Sequence, residues 1–329
     1  MKYSVVIPFY NSEGFILNAL NCLKNQTHKD IEVILINDGS KDNSEDVVLT
    51  FKNENPKMNI VYKKIKNSGP STARNIGIDL ASGDFISFLD SDDTYSPNLF
   101  EEVEKVVNDE IDVIYWGFDI RNEKNVVNFK FLDSFKYLDN LAGIECAHHK
   151  YKHDIWLNNC NECYRLDMVK KHHIKYLEGV YAGEDANFIY LNLFNARKVR
   201  VIPQDLFHNN ERSESLFHHD FSEKHVTEFK AIENTLQYIK DNNIQGIYDD
   251  INSLYYHTRV TVAKRIVKSL KWYQVCKFKK LNKQYIPKMK KPKVLDFNKK
   301  QKIETKVYNL SRFIFFYFVK FYFAMHKEA

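Results

Sequence analysis

A chain of 329 residues with 44% hydrophobic and 14% aromatic content is excluded from the disordered class and can bury a substantial core. Its formal net charge of +5 conceals a division: residues 264–329 hold nineteen Lys/Arg against three Asp/Glu, a balance of +16, so the first 263 residues sum to −11. A negative body with a basic end argues against nucleic acid as a partner of the main domain and directs the end toward an anionic surface.

Five scattered cysteines and an opening without a signal-peptide pattern predict a reducing, cytoplasmic setting. Cys160 and Cys163 have C-x-x-C spacing but no second pair, and read as structural thiols.

In chain order, residues 3–8 form a β-branched run closed by Pro8, and residues 12–25 carry apolar side chains at helical spacing. Residues 31–36 predict a second strand leading into Asn37-Asp38-Gly39-Ser40, with a helix over 42–53. A third strand at 59–64 is followed by a turn at Asn67-Ser68-Gly69-Pro70 and a helix over 71–81, with proline near its first position. Residues 83–89, with the apolar run Phe85-Ile86-Ser87-Phe88-Leu89, predict a fourth, buried strand ending in Asp90-Ser91-Asp92-Asp93. This alternation predicts an α/β fold, with helices covering a mostly parallel sheet through right-handed crossovers.

In such sheets ligands bind outside the carboxyl ends of the strands. Pro8 and Tyr10, Asp38, and Asp90 with Asp92 stand at those ends, while Arg74 lies in the first turn of the third helix. An aromatic ring, a lone carboxylate, a guanidinium and an oxygen-only acid cluster suit a nucleotide diphosphate held with Mg²⁺ or Mn²⁺. Taken alone, the acid cluster also reads as a solvated turn or an N-cap for the helix after Pro97. There is no G-x-G-x-x-G and no G-x-x-x-x-G-K-[ST], so phosphates would be held by side chains and a cation.

Together, the segments 4–11, 37–40 with Asp42, Asn67-x-Gly69 with Ala73-Arg74-Asn75-x-Gly77, and Ala81-x-Gly83-Asp84 through Asp93 resemble the N-terminal motifs of family 2 glycosyltransferases. The resemblance covers about the first hundred residues. It implies a GT-A fold, a UDP-sugar donor, Mn²⁺ or Mg²⁺, and inversion at the anomeric carbon. It also implies donor-binding roles for Pro8, Tyr10, Asp38, Asn67, Arg74, Asp90 and Ser91, with Asp90 and Asp92 as metal ligands. Gly183-Glu184-Asp185 resembles the family's Glu-Asp motif at the head of a helix, which implies Asp185 as the catalytic base with Glu184 in support. The stretch from His208 to Leu216 resembles the loop that closes over the donor. There Arg212 and Ser215 are expected on the diphosphate, and His208 within reach of the metal.

Residues 110–118 predict a further strand, after which the pattern loosens. The segment 158–171 departs from the family, because Cys160 and Glu162 stand where a tryptophan and a lysine precede Tyr-Arg. The expected organisation is a catalytic domain over 1–220, with a donor half to about 100 and an acceptor half beyond, and a basic helical region over 221–329. Within that region, residues 301–327 predict one helix that mixes aromatic and basic residues, too interrupted to span a bilayer. It suits the surface of an anionic membrane, to which nearby lysines add about 1 kcal/mol each. The alternative is a helix packed on the protein or at a homodimer contact.

These features predict an inverting, metal-dependent glycosyltransferase acting on a glycan or lipid-linked acceptor at the inner membrane face. Two other classes compete with that reading. A nucleotidyltransferase would usually carry a glycine-rich loop near its first strand, and a nucleotide-sugar-binding module would not need Asp90, Asp92 and Asp185 all intact.

Overall fold

The structure is a computed structural model that describes residues 1–122, 124, 126–211, 221–289, 291–292 and 299–325. The first four strands, β1 (Tyr3–Phe9), β2 (Ile31–Asn37), β3 (Asn59–Lys64) and β4 (Phe85–Phe88), pair in parallel. Between them run α1 (Ile16–Lys24), α2 (Ser44–Glu54) and α3 (Pro70–Leu80). Every residue of β2 and β4 is buried, including the polar Glu32, Asn37 and Ser87, as mostly apolar strands are when helices cover both faces. Helix α3 lies so close to β1 that a Cβ on Gly77 would meet Val6 Cγ1 at 2.3 Å.

Beyond β4 the sheet becomes mixed. The elements are β5 (Thr94–Tyr95), α4 (Leu99–Val106), β6 (Ile111–Arg121), β7 (Val127–Lys130), α5 (Gly143–Tyr151), β8 (Glu162–Arg165), α6 (Leu166–Lys171), α7 (Glu184–Asn195) and β9 (Lys198–Asn210). The order across the sheet is β3-β2-β1-β4-β8-β6-β9-β5, with β7 on the outside of β6. Strand β8 is antiparallel to both β4 and β6, and β9 is parallel to β6. Two reversals restore direction, so β6 and β9 end on the same edge as β1, β2 and β4. The strand expected at 110–118 continues to Arg121, which carries Asp119 and Arg121 to that edge.

The described chain divides into two compact units: 1–179 with 185–213, and 180–184 with the residues from 214 onward. The first is the sheet with its helices. The second contains α8 (Glu228–Asp241), α9 (Tyr248–Lys268), α10 (Val275–Tyr285), α11 (Lys299–Leu310) and α12 (Arg312–Met325). Its core gathers Val260, Ala263, Ile266, Phe278, Phe315 and Phe316.

The single helix expected over 301–327 is instead two. At the break, the Ser311 hydroxyl accepts from the Ile314 N–H at 3.4 Å and the Ser311 carbonyl from the Phe315 N–H at 2.9 Å, so Ser311 opens α12 as a capping residue. Among the described residues, no helix is long and apolar enough to cross a membrane.

Candidate active site

The site is built where β1, β2, β4, β6 and β9 end. The Asp38 N–H donates to the Phe9 carbonyl at 2.9 Å and joins the ends of β2 and β1. Its buried carboxylate accepts from the Ser68 N–H at 2.7 Å and the Gly69 N–H at 2.9 Å, and so fixes the loop that starts α3. Two lone-pair positions remain for a further donor. Gly39 permits this close approach: its φ is +74°, and a Cβ there would lie 2.9 Å from the Asn67 nitrogen. Tyr10 follows β1 with its ring 42% exposed, available as a platform beside Asp38. Pro8 is within β1, and the Ser91 hydroxyl pairs with that of Ser12 at 2.8 Å, joining the acid turn to the loop after β1.

The turn after β4 is held from two sides. On one side the Arg74 Nη2 donates to Asp90 Oδ1 at 2.8 Å. Arg74 is itself buried, with its guanidinium 5.3 Å from the Tyr176 ring centroid. With the Asn159 amide oriented to satisfy both neighbours, its oxygen accepts from Arg74 Nε at 3.0 Å and Nη2 at 3.1 Å, and its nitrogen donates to the Tyr176 hydroxyl. Arg74 is therefore committed to Asp90, Asn159 and Tyr176.

On the other side, β9 clamps the turn. The Asn210 Nδ2 donates to the Asp92 carbonyl at 2.7 Å, the Asn210 N–H to Asp93 Oδ1 at 2.8 Å, and the Asn209 Nδ2 to the Asp93 carboxylate at 3.2 Å. Asp93 points inward and is 2% exposed. Burial, followed by the charges of Asp92 and Asp90, pushes its carboxyl well above the ordinary range against these hydrogen bonds.

His208 lines the same cleft as Asp92, and both of its ring nitrogens have partners. Its Nε2 pairs with the Ser96 hydroxyl at 2.8 Å, and its Nδ1 is 3.0 Å from both Asp119 oxygens and 2.8 Å from Arg121 Nη2. Burial raises the Asp119 carboxyl, but hydrogen bonds from His208 and Arg121 outweigh it and hold the group below its usual value. Arg212 and Ser215 lie outside the described residues.

Asp185 is half-buried near the start of α7, just after Gly183 at φ +81°, and its Oδ1 accepts from the Ala186 N–H at 2.7 Å. Glu184 is the first residue of that helix. The Asp185 charge reaches Tyr176, Lys150 and Glu162. Tyr176 thus faces the Arg74 guanidinium and lies within the field of the Asp185 charge. Glu162 is fully buried and neither carboxylate oxygen has a well-formed hydrogen bond. Burial pushes it up to about 8 against the pull of Tyr164 and Lys150.

Among the described residues, the group whose ligand atoms come within 4.8 Å of one another is Asp90, Asp93 and Cys160. Burial holds the Cys160 thiol well above its ordinary value, in the protonated form that hard cations do not take. The carboxylates fit a divalent cation better, because the charges of Asp90 and Asp92, which add to burial in raising Asp93, are what an ion would neutralise. Asp92 also lines a cleft of about 730 Å³ whose other walls include Phe15, Asn18, Asn21, Arg121 and Asn210.

Sequence reading missed the β9 clamp, Asp119 with Arg121, and the Tyr176–Asn159 support. Polar residues at the end of an apolar strand were a signal for the second; the others follow from tertiary contacts.

Residues 4–161 match the family model described as Glycosyl transferase family 2. Over 220 residues the chain is 32% identical to the minor teichoic acid biosynthesis protein GgaB of Bacillus subtilis (strain 168), covering 64% of this chain and 23% of that protein. It is 28% identical over 214 residues to the uncharacterized glycosyltransferase YibD of Escherichia coli (strain K12), covering 63% of this chain and 60% of that one. The chain therefore spans less than two-thirds of the length of these curated relatives. Among solved structures, residues 1–349 of S. aureus TarS in complex with UDP-GlcNAc superpose with a TM-score of 0.65 at 20% identity, over 87% of this chain and 82% of that one. The mannosyltransferase PcManGT from Pyrobaculum calidifontis, in complex with GDP-Man and Mn²⁺, gives 0.53 at 11% identity, over 94% and 87%. The fold is that of the GT-A glycosyltransferases, and the match to glycosyl transferase family 2 rests on residues 4–161, just under half of the chain.

Proposed function

We propose that this chain is an inverting, metal-dependent glycosyltransferase that moves a hexose or N-acetylhexosamine from a UDP-sugar to a glycan or lipid-linked acceptor. The observation that carries the reading is the acid turn, fixed between Arg74 and Asn210 at the strand edge where Tyr10 and Asp38 also stand. The UDP-GlcNAc complex of TarS supports a UDP-linked donor, and the relative from teichoic acid biosynthesis supports a surface polymer as the product.

In this reading Tyr10 stacks on the base and the free lone pairs of Asp38 accept from it. Asp90 and Asp92 hold the divalent cation, which when bound neutralises charge developing on the leaving diphosphate. Arg74 acts on the donor through Asp90, holding that carboxylate in place. Asp185 takes the proton of the acceptor hydroxyl as its oxygen bonds to the anomeric carbon. The bond from that carbon to the diphosphate oxygen breaks, and its electron pair leaves with UDP. Pro8, Asn67 and Ser91 shape the nucleotide pocket through backbone position, and Arg212 and Ser215 are assigned to the diphosphate from sequence alone.

The same reading sets the enzyme to work on the cytoplasmic face of a membrane, where a lipid-linked acceptor would be presented. Incubating the full chain with a panel of UDP-sugars and Mn²⁺ tests the proposal. Release of UDP from one donor, stimulated by acceptor, supports it, and no release from any donor refutes it.

A further inference from the structure

Helix α12 is apolar around its whole circumference, yet the helical unit covers one side of it. Phe315, Phe316 and Val319 are buried in the core, while Phe313, Ile314, Phe321 and Met325 on the opposite arc are 48–71% exposed. A helix with apolar residues on every side is stable in water only when both faces are covered. The exposed arc is continuous with the turn between α9 and α10. Rings of Phe313 and Tyr317 lie 5.0 Å apart, Tyr317 and Trp272 6.4 Å, and Trp272 and Phe321 5.0 Å. Trp272 and Tyr273 are 42% and 74% exposed. Four aromatic rings joined in one surface stripe exceed the scattered apolar residues of an ordinary protein exterior.

Charge decides what covers the stripe. Lys279 stands 5.8 Å from the Phe313 ring, and Lys271, Lys277, Lys280 and Lys283 on the same turn and helix are exposed. The whole stretch 264–329 balances at +16. A second copy docking face to face would bring like charges together, which opposes association. An anionic bilayer would accept the rings at its headgroup boundary and the lysines at its charged surface.

We propose that the Trp272–Phe313–Tyr317–Phe321 face of the helical unit is a docking surface for an anionic lipid bilayer. The helix lies in the plane of the interface and does not cross it. Docking is independent of the transfer chemistry, so its failure leaves the proposed reaction untouched, and loss of the reaction leaves docking intact.

The test is co-sedimentation of the full chain with two vesicle preparations, phosphatidylcholine alone and phosphatidylcholine with about one-third phosphatidylglycerol. Binding is expected to the anionic vesicles, to weaken with added salt, and to fall at least roughly tenfold in the double variant Phe313→Ser/Phe321→Ser. Because both side chains are exposed, the thermal melt of that variant should match the parent. A second variant, Lys279→Glu/Lys280→Glu, alters charge alone and should lower binding to the anionic vesicles with no change in the melt. No binding to anionic vesicles, or binding unchanged in both variants, overturns the proposal. So does sedimentation equilibrium showing a dimer that Phe313→Ser/Phe321→Ser dissociates, which would make a second copy the occupant.

Discussion

The guanidinium of Arg74 holds the carboxylate of Asp90 at 2.8 Å from inside the protein, backed by the Tyr176 ring and the Asn159 amide. Because Arg74 is buried and fully engaged, its influence on a donor would pass through Asp90. Lysine cannot reproduce the planar fork that serves Asp90 and Asn159 together. Arg74→Lys should therefore destabilise the fold by roughly 1–3 kcal/mol and weaken Mn²⁺ and donor binding together. Thermal melts and isothermal titration check both, and an unchanged Mn²⁺ affinity would remove the positioning role.

Divalent cations should raise the melting temperature. With the cation at a hundredfold excess over its Kd, binding to the native state adds about 2.7 kcal/mol. In the ion-free protein the charges of Asp92 and Asp90 add to burial in raising Asp93, so Asp92→Asn should lose the cation response while leaving the ion-free melt near or above the parent. Cys160→Ser should keep the response, since the protonated thiol is not expected to ligate Mg²⁺ or Mn²⁺. Loss of the response in Cys160→Ser would instead assign the inward trio as the site.

The buried carboxyl of Glu162 supplies a pH test. Its folded pKa of about 8 lies above the unfolded value, so the native state holds the extra proton between the two. Its contribution is fully present below the unfolded value and is lost as pH rises through about 8. Glu162→Gln removes this titration, so parent stability should fall relative to the variant between mildly acid pH and pH 8, by roughly 2–4 kcal/mol in all. Parallel denaturant midpoints across that range would show that Glu162 is ionised in the folded protein.

Asp119 gives the opposite sign. Its carboxyl is held below the unfolded value by His208 and Arg121 against burial, so its contribution is present above the unfolded value and lost as pH falls through the folded one. Asp119→Asn should therefore cost stability at neutral pH, by about 1–3 kcal/mol, and little at strongly acid pH. An equal cost at both would indicate packing and not charge.

Much of the donor half was legible before any coordinates. The β-branched runs ending in Pro8, Asp38 and Asp90 announced parallel strands, and a parallel sheet brings its carboxyl ends to one edge by construction. The acceptor half was less legible, because β8 reverses direction and β6 outruns its apolar stretch, so that Asp119 reaches the edge beyond the strand expected at 110–118. Arg74 illustrates the remaining gap. Its position near the start of α3 was readable, but its partner Asn159 lies far along the chain and only folding brings them together. The break at Ser311 was hidden by helical spacing that continues on both sides of it.

In the proposed transfer reaction Asp92 and Asp185 divide the labour, the first on the donor side and the second on the acceptor proton. Following UDP release with Mn²⁺ and acceptor, in the parent, Asp92→Asn and Asp185→Asn, tests it most directly. The parent should turn over, and EDTA should abolish that turnover. Asp185→Asn should lose on the order of a thousandfold in kcat with UDP-sugar affinity retained, and Asp92→Asn should lose the metal requirement and turnover together. Turnover indifferent to EDTA, or an Asp185→Asn variant as active as the parent, would contradict it.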